Sequence, residues 1–209
     1  MAYLFEQIAS GKLLGSVKNI SKNASKWFKG NIDNLIKFKN NVQIFAMYEG
    51  KLQNRLNQDS LGELYMFVYD AKWKADTRVL PYYDQFPIIF PVGFTSNGFY
   101  GLNLHYIPPK LRGILMNTIY KAVEDKNKSS GKKLKKPDLA MILEAISKHS
   151  LFKPCIKRYI YDKHVRSKFI KIPFDQWDYA MLLETERFVT GAKDKPYNKR
   201  NVWEDSVNK

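Results

Sequence analysis

Ser96-Asn97-Gly98 lies between two apolar and aromatic runs, Phe86-Pro87-Ile88-Ile89-Phe90-Pro91-Val92 and Gly98-Phe99-Tyr100-Gly101-Leu102-Asn103-Leu104. Asn and Gly accept the positive φ that tight hairpin turns demand, so the pattern predicts two antiparallel strands joined by a short turn. A third run, Leu64-Tyr65-Met66-Phe67-Val68-Tyr69, is built from the residues that pleated surfaces favour. Asp70, Pro81 and Pro108-Pro109 punctuate these runs as a meander of antiparallel strands is punctuated. Pro87 and Pro91 lack amide donors, so their strand is expected at an edge or irregular.

Beyond Pro108-Pro109 the period changes. Proline is pre-set for a first helical turn, and Leu111, Ile114, Leu115, Thr118, Ile119 and Ala122 are expected on one face of a helix. Asp125 to Asp138, where Lys126, Lys128, Lys132, Lys133, Lys135 and Lys136 flank Ser129-Ser130-Gly131, reads as a basic loop. A second helix is expected after Pro137-Asp138 with Leu139, Ile142, Leu143 and Ile146 inward, and a third from Pro154 with Ile156, Tyr159 and Ile160 inward. On that third helix Lys153, Lys157, Tyr161, His164 and Lys168 would form one basic stripe interrupted by rings, with Arg158 and Arg166 beside it. A further helix is expected from Asp175 as cap, through Trp177, Ala180 and Met181, ending before Gly191. The predicted fold class is α+β: a small antiparallel β-sheet or partly open barrel packed by three to four helices. Residues 1–60 are expected as a basic N-terminal arm, 61–190 as the core domain and 191–209 as a loose tail. The arm, with one apolar stripe at Ile32, Leu35 and Ile36, would either order against a partner or wrap the domain's own core.

Charge narrows the function. The 209 residues carry 35 Lys+Arg against 20 Asp+Glu, a net +15, and residues 110–174 alone hold 17 basic and 5 acidic side chains. Such a concentration attracts polyanions, of which nucleic acid is the commonest in a cell, the plain alternative being a solvated lysine-rich face. Aromatic residues make up 14% of the chain, enough apolar surface for a core in spite of that charge. Cys155 stands alone, which excludes an intramolecular disulfide and a cysteine-based zinc site and points to a reducing compartment. Glu6, Lys12 and Lys18 interrupt the first twenty residues, so no signal peptide is expected, and no apolar run is long enough to span a bilayer.

Templates for catalysis fail. There is no Gly-x-Ser-x-Gly, no Gly-rich loop ending in Lys-Ser or Lys-Thr, and no His-Glu-x-x-His. Cys155 is expected as a small buried thiol rather than a nucleophile partnered by His105, His149 or His164. A Mg²⁺-dependent nuclease needs convergent carboxylates, for which the candidates are Asp70, Asp76, Asp84 and the Glu124-Asp125-Lys126 triplet. Asp84 is expected instead as a turn residue capping a backbone amide, and His105 as a hydrogen-bonded structural histidine. No cofactor and no metal is expected.

The segment Leu80-Pro81-Tyr82-Tyr83-Asp84-Gln85-Phe86-Pro87, then Gly98 through Pro109, Cys155-Ile156-Lys157-Arg158-Tyr159, His164-Val165-Arg166-Ser167, Trp177-Asp178 and Glu186-Arg187-Phe188 resemble the DNA end protector family of T-even-type contractile-tailed bacteriophages. The resemblance covers roughly residues 60–190. It implies a non-enzymatic virion protein near the portal that binds the ends of packaged double-stranded DNA, shields them from host nuclease and completes the head. Localisation would be the virion, with the host cytoplasm during assembly. Expected partners are double-stranded DNA and portal, neck or other virion proteins, with no membrane. Expected DNA-binding residues are Lys132, Lys133, Lys135, Lys136, Lys153, Lys157, Arg158, Tyr161, His164, Arg166 and Lys168. Tyr161 is the candidate for stacking on a terminal base. A structural neck, connector or baseplate component and a nuclease are the alternatives.

Overall fold

The structure, a computed structural model, describes residues 52–130 and 136–177, together with 26, 29, 30, 180, 188–190, 195–196 and 198–207. Its strands are β1 (Leu52–Gln53), β2 (Leu64–Met66), β3 (Tyr83–Asp84), β4 (Ile88–Thr95), β5 (Gly98–Asn103), β6 (Ile156–Ile160), β7 (Phe169–Ile172), β8 (Phe188–Thr190) and β9 (Lys195–Pro196). The described helices are α1 (Pro109–Ser130), α2 (Lys136–Lys148) and α3 (Lys199–Val207). Six strands form one antiparallel sheet in the order β1-β7-β2-β4-β5-β6, and β3-β8-β9 form a second; neither is a closed barrel. The chain is therefore a mixed α+β protein.

The hairpin forms where Asn97-Gly98 predicts it, with Thr95 opposite Gly98 and Phe94 opposite Phe99. A Cβ at Gly98 would collide with the carbonyl oxygen of Tyr159, so glycine lets β6 close on this end of β5. β4 tolerates its prolines by irregularity: the register slips between Pro91 and Gly93. It also runs past β2, which pairs only Ile88 and Ile89, so Pro91 has no β2 residue opposite it.

Alternation along the strands divides the interior in two. Leu64, Met66, Ile88, Phe90, Leu102, Ile170 and Ile172 face a core completed by Leu115, Met116 and Ile119 of α1, Leu139 and Leu143 of α2, and Val202 of α3. Tyr65, Phe67, Ile89, Phe99, Tyr159 and Phe169 face a second core, closed by Leu56, Tyr69, Ala71, Tyr83 and Val189. Phe67 is its hub, with ring centroids of Tyr159 at 5.2 Å, Phe169 at 4.8 Å and Phe99 at 5.7 Å.

Several expectations are corrected. α1 runs on to Ser130, because nothing before Gly131 breaks a helix, so the basic loop is shorter than Asp125–Asp138. Ile114 is exposed, and its place toward the core is taken by Met116 and the buried Arg112. Residues 52–60 belong to the domain rather than to an arm, since β1 pairs with β7 and Leu56 and Ser60 are buried. The rest of the arm lies outside the described residues, apart from exposed helical positions at Lys26, Lys29 and Gly30. The carboxyl-terminal segment, expected loose, forms α3: Val202 is fully buried, and Trp203 donates its indole N–H to the His105 carbonyl at 2.9 Å. Asp175 sits inside a 3₁₀ turn over Phe174–Gln176 instead of capping a helix; Trp177 and Ala180 are helical as expected and are buried, but Phe188–Thr190, expected within that helix, form β8.

Candidate nucleic-acid interface

The segment expected as a basic helix is a strand. A 3₁₀ turn over Lys153–Cys155 leads into β6, which pairs with β5 through Tyr100 opposite Arg158 and Gly101 opposite Lys157. Only seven residues separate Pro154 from Asp162. That is too short for a stable helix, while Ile156, Tyr159 and Ile160 suit a pleated surface. Successive strand residues point to opposite faces, so Lys157 and Arg158 diverge. The Lys157 ammonium lies 4.1 Å from the Tyr106 ring centroid, and Arg158 reaches out to donate to Asn97 Oδ1 at 3.2 Å. Among the described residues β6 has β5 on one side and no strand on the other, which leaves it an edge.

The turn after β6 is fastened to the segment beyond β2. Tyr69 bridges to Val165, the Arg166 amide donates to Val68 O at 2.8 Å, and the Val68 amide donates to Ser167 Oγ at 2.8 Å. His164 Nδ1 lies 2.8 Å from the Asp70 carbonyl oxygen, which only accepts, so Nδ1 carries the proton and His164 is committed to the fold. Tyr161 is committed too: its hydroxyl donates to Leu56 O at 2.7 Å, Arg55 covers its ring at 4.9 Å, and the ring packs 5.4 Å from Phe99. Burial raises its pKa. These contacts leave Tyr161 half-buried. Lys163 takes a left-handed backbone, φ 59°, at the tip of this turn.

What the turn and edge strand share is unbalanced charge. Some basic side chains elsewhere meet acids: Lys74 with Asp70 at 2.8 Å, Lys148 with Glu144 at 2.8 Å and Lys171 with Glu63 at 2.8 Å. Lys153, Arg158, Lys163 and Arg166 are exposed and make no ion pair among the described residues. The acid within their segment, Asp162, lies 3.9 Å from Arg55 instead. Lys168 is half-buried just ahead of β7. Lys132, Lys133 and Lys135 lie outside the described residues, and Lys136 opens the α2 backbone with its side chain outside them. The structure thus brings Lys153, Lys157, Arg158 and Arg166 to one edge and its adjoining turn, although not along one helix.

Three exposed aromatics among the described residues escaped the sequence reading, Trp73 at 54%, Tyr100 at 40% and Phe174 at 38% accessibility. Lys72-Trp73-Lys74, a large ring between two cations in a loop, was the available signal. Lys72 Nζ lies 4.9 Å from the Trp73 ring centroid.

Of the candidate carboxylates, the side chains of Glu124 and Asp125 lie outside the described residues. Among the described residues no three of His, Cys, Asp and Glu gather to hold a metal ion. Asp84 is buried and saturated, accepting from the Phe86 amide at 3.1 Å and Asn103 Nδ2 at 2.9 Å, with His105 Nδ1 at 2.7 Å. Both Asp84 and His105 therefore have the structural roles expected of them. Asn103 also donates to Tyr159 Oη at 2.9 Å, and burial, followed by the Asp84 charge, holds the phenols of Tyr106 and Tyr159 well above their ordinary pKa. Burial pushes the Cys155 thiol up to about 11, against nucleophilic use.

A family model described as phage T4 terminal DNA protecting protein matches residues 5–206. The chain belongs to that family. It is a bacteriophage DNA-binding protein that protects DNA ends. The match takes in the amino-terminal region and α3, well beyond the 60–190 span of the resemblance seen in the sequence. No curated protein and no solved structure matches the chain. Among the described residues no helix is long and apolar enough to cross a membrane.

Proposed function

We propose that the chain sits on the ends of packaged double-stranded DNA near the portal, shields them from host exonuclease without itself being an enzyme, and so completes the head. The observation that carries this is the exposed set Lys153, Arg158, Lys163 and Arg166 on the β6 edge and its turn, which makes no ion pair among the described residues. Cations of this kind bind phosphates in any sequence, because every duplex presents the same backbone, and each contact releases counterions. Lys157 and Lys168 flank this set, and a DNA role for Lys132, Lys133, Lys135 and Lys136 rests on charge alone. Tyr161 and His164 hold the turn in place rather than touching DNA. Portal or neck proteins are the expected neighbours, with the amino-terminal region as the contact.

An exonuclease protection assay on linear duplex tests the proposal. Purified protein is expected to slow digestion from the ends severalfold while leaving endonuclease cutting at internal sites unchanged. Equal slowing of both nucleases would mean general coating of DNA, and no slowing would leave a structural virion component.

A further inference from the structure

Beside the β6 edge, the loop after Tyr69 folds over a cavity of about 250 Å³ whose lining includes Tyr69, Trp73, Tyr106, Lys72, Lys157 and Arg158. Its composition is unusual for a surface hollow. Tyr69 and Tyr106 are buried, and burial keeps their phenols protonated, so they supply neutral aromatic surface. Trp73 remains half exposed, with an ammonium at 4.9 Å from its ring. The Lys72 and Lys157 ammonium groups lie against two rings of the lining, Trp73 and Tyr106, while Arg158 lines the hollow with its guanidinium turned to Asn97, and Asp84 is the acid in the lining. That carboxylate is already engaged by Phe86, Asn103 and His105. The hollow therefore asks for a flat aromatic group carrying negative charge, small enough to be a single unit.

We infer that this cavity is a pocket for one unpaired nucleotide at a DNA terminus, its base stacking on Trp73 and its phosphate meeting Lys72 and Lys157. A paired base inside a duplex cannot enter, because its faces are covered by its neighbours. A terminal nucleotide that is frayed or overhanging can. Phosphate contacts along β6 treat every position of a duplex alike. The pocket supplies what they lack, a means of telling an end from the middle. Base stacking on aromatic rings is indifferent to base identity, which suits a protein that must accept whatever sequence the terminus carries.

This inference rests on the end-binding reading above, and the test separates the two. Affinities of wild type and Trp73→Ala are measured for linear duplex with a short single-stranded overhang, blunt linear duplex and covalently closed circular duplex. Wild type is expected to favour the overhang, and Trp73→Ala to lose about tenfold or more on it while keeping its circular-DNA affinity. Trp73→Phe, which keeps a ring, is expected to restore most of the loss. Because Trp73 is exposed, the variants are expected to fold, and unchanged thermal melting checks this. Equal wild-type affinity for blunt and overhanging ends, or a Trp73→Ala loss shared by circular DNA, would overturn the pocket while leaving end protection standing. Equal wild-type affinity for linear and circular DNA would overturn both. Binding of a free deoxynucleoside monophosphate as tight as that of the overhang would assign the pocket to nucleotides in solution and overturn the DNA-terminus inference.

Discussion

The two faces of the six-stranded sheet are packed by different means. One face is largely aliphatic and covered by regular helices, with Leu115 and Ile119 of α1, Leu139 and Leu143 of α2 and Val202 of α3 against it. The other is aromatic and closed by irregular segments, the chain from Leu56, the loop after Tyr69 and the turn after β6. Helices cover area cheaply because their hydrogen bonds are internal. A loop cover must satisfy its backbone groups one by one, as the bonds from Arg166 to Val68 and from Tyr69 to Gln85 do. In return the loop-covered side can hold a cavity and present Trp73, Lys157 and the turn cations together. The helical face builds the domain, and the aromatic face carries the features expected to meet DNA.

Breaking that comparison starts with the cores. Phe67→Ala removes the ring on which Tyr69, Phe99, Tyr159 and Phe169 converge and is expected to cost about 3 to 5 kcal/mol, read as a drop in urea midpoint. Leu143→Ala on the helical face is expected to cost about 3 kcal/mol, because one aliphatic side chain leaves a smaller void. The reverse order would mean that the aromatic face is the softer one. A smaller effect belongs to Cys155. Its thiol is raised from 9.0 to about 11 by burial, so the folded chain holds that proton more tightly than the unfolded chain. Its contribution is fully present below pH 9, is lost as pH rises toward 11, and is on the order of 2 kcal/mol. Denaturation measured at stepped pH checks the window, and rapid thiol labelling of the native chain at pH 8 would contradict it.

Much of the sheet was legible because its signals are local. Asn97-Gly98 specifies a turn whatever surrounds it, and the aromatic runs at 64–69, 86–92 and 98–104 each coincide with a strand. Pro109 and the apolar spacing after it place α1. β6 was not legible, because Lys153, Lys157, Tyr161, His164 and Lys168 fit a helical period by coincidence. The deciding interaction is pairing with β5, more than fifty residues away in sequence. α3 was hidden for a similar reason: Val202 and Trp203 look like isolated apolar residues in a polar tail until the β5–α1 corner at His105 supplies something to pack on. Of the expected site, the basic residues could be read from charge alone. The contacts of Tyr161 with the Leu56 carbonyl and the Arg55 guanidinium could not, because they join segments far apart in sequence.

The smallest change to stability should give the clearest functional answer. Arg158→Ala combined with Arg166→Ala removes two exposed cations and is expected to alter folding by no more than about 0.5 kcal/mol. The affinity of wild type and this variant for linear duplex, measured across a salt series, tests directly whether the β6 edge meets DNA phosphates. The account predicts uniformly weaker binding and a log–log salt slope shallower by about 1 for each arginine removed. An unchanged slope and affinity would contradict it and move the DNA contact away from this edge.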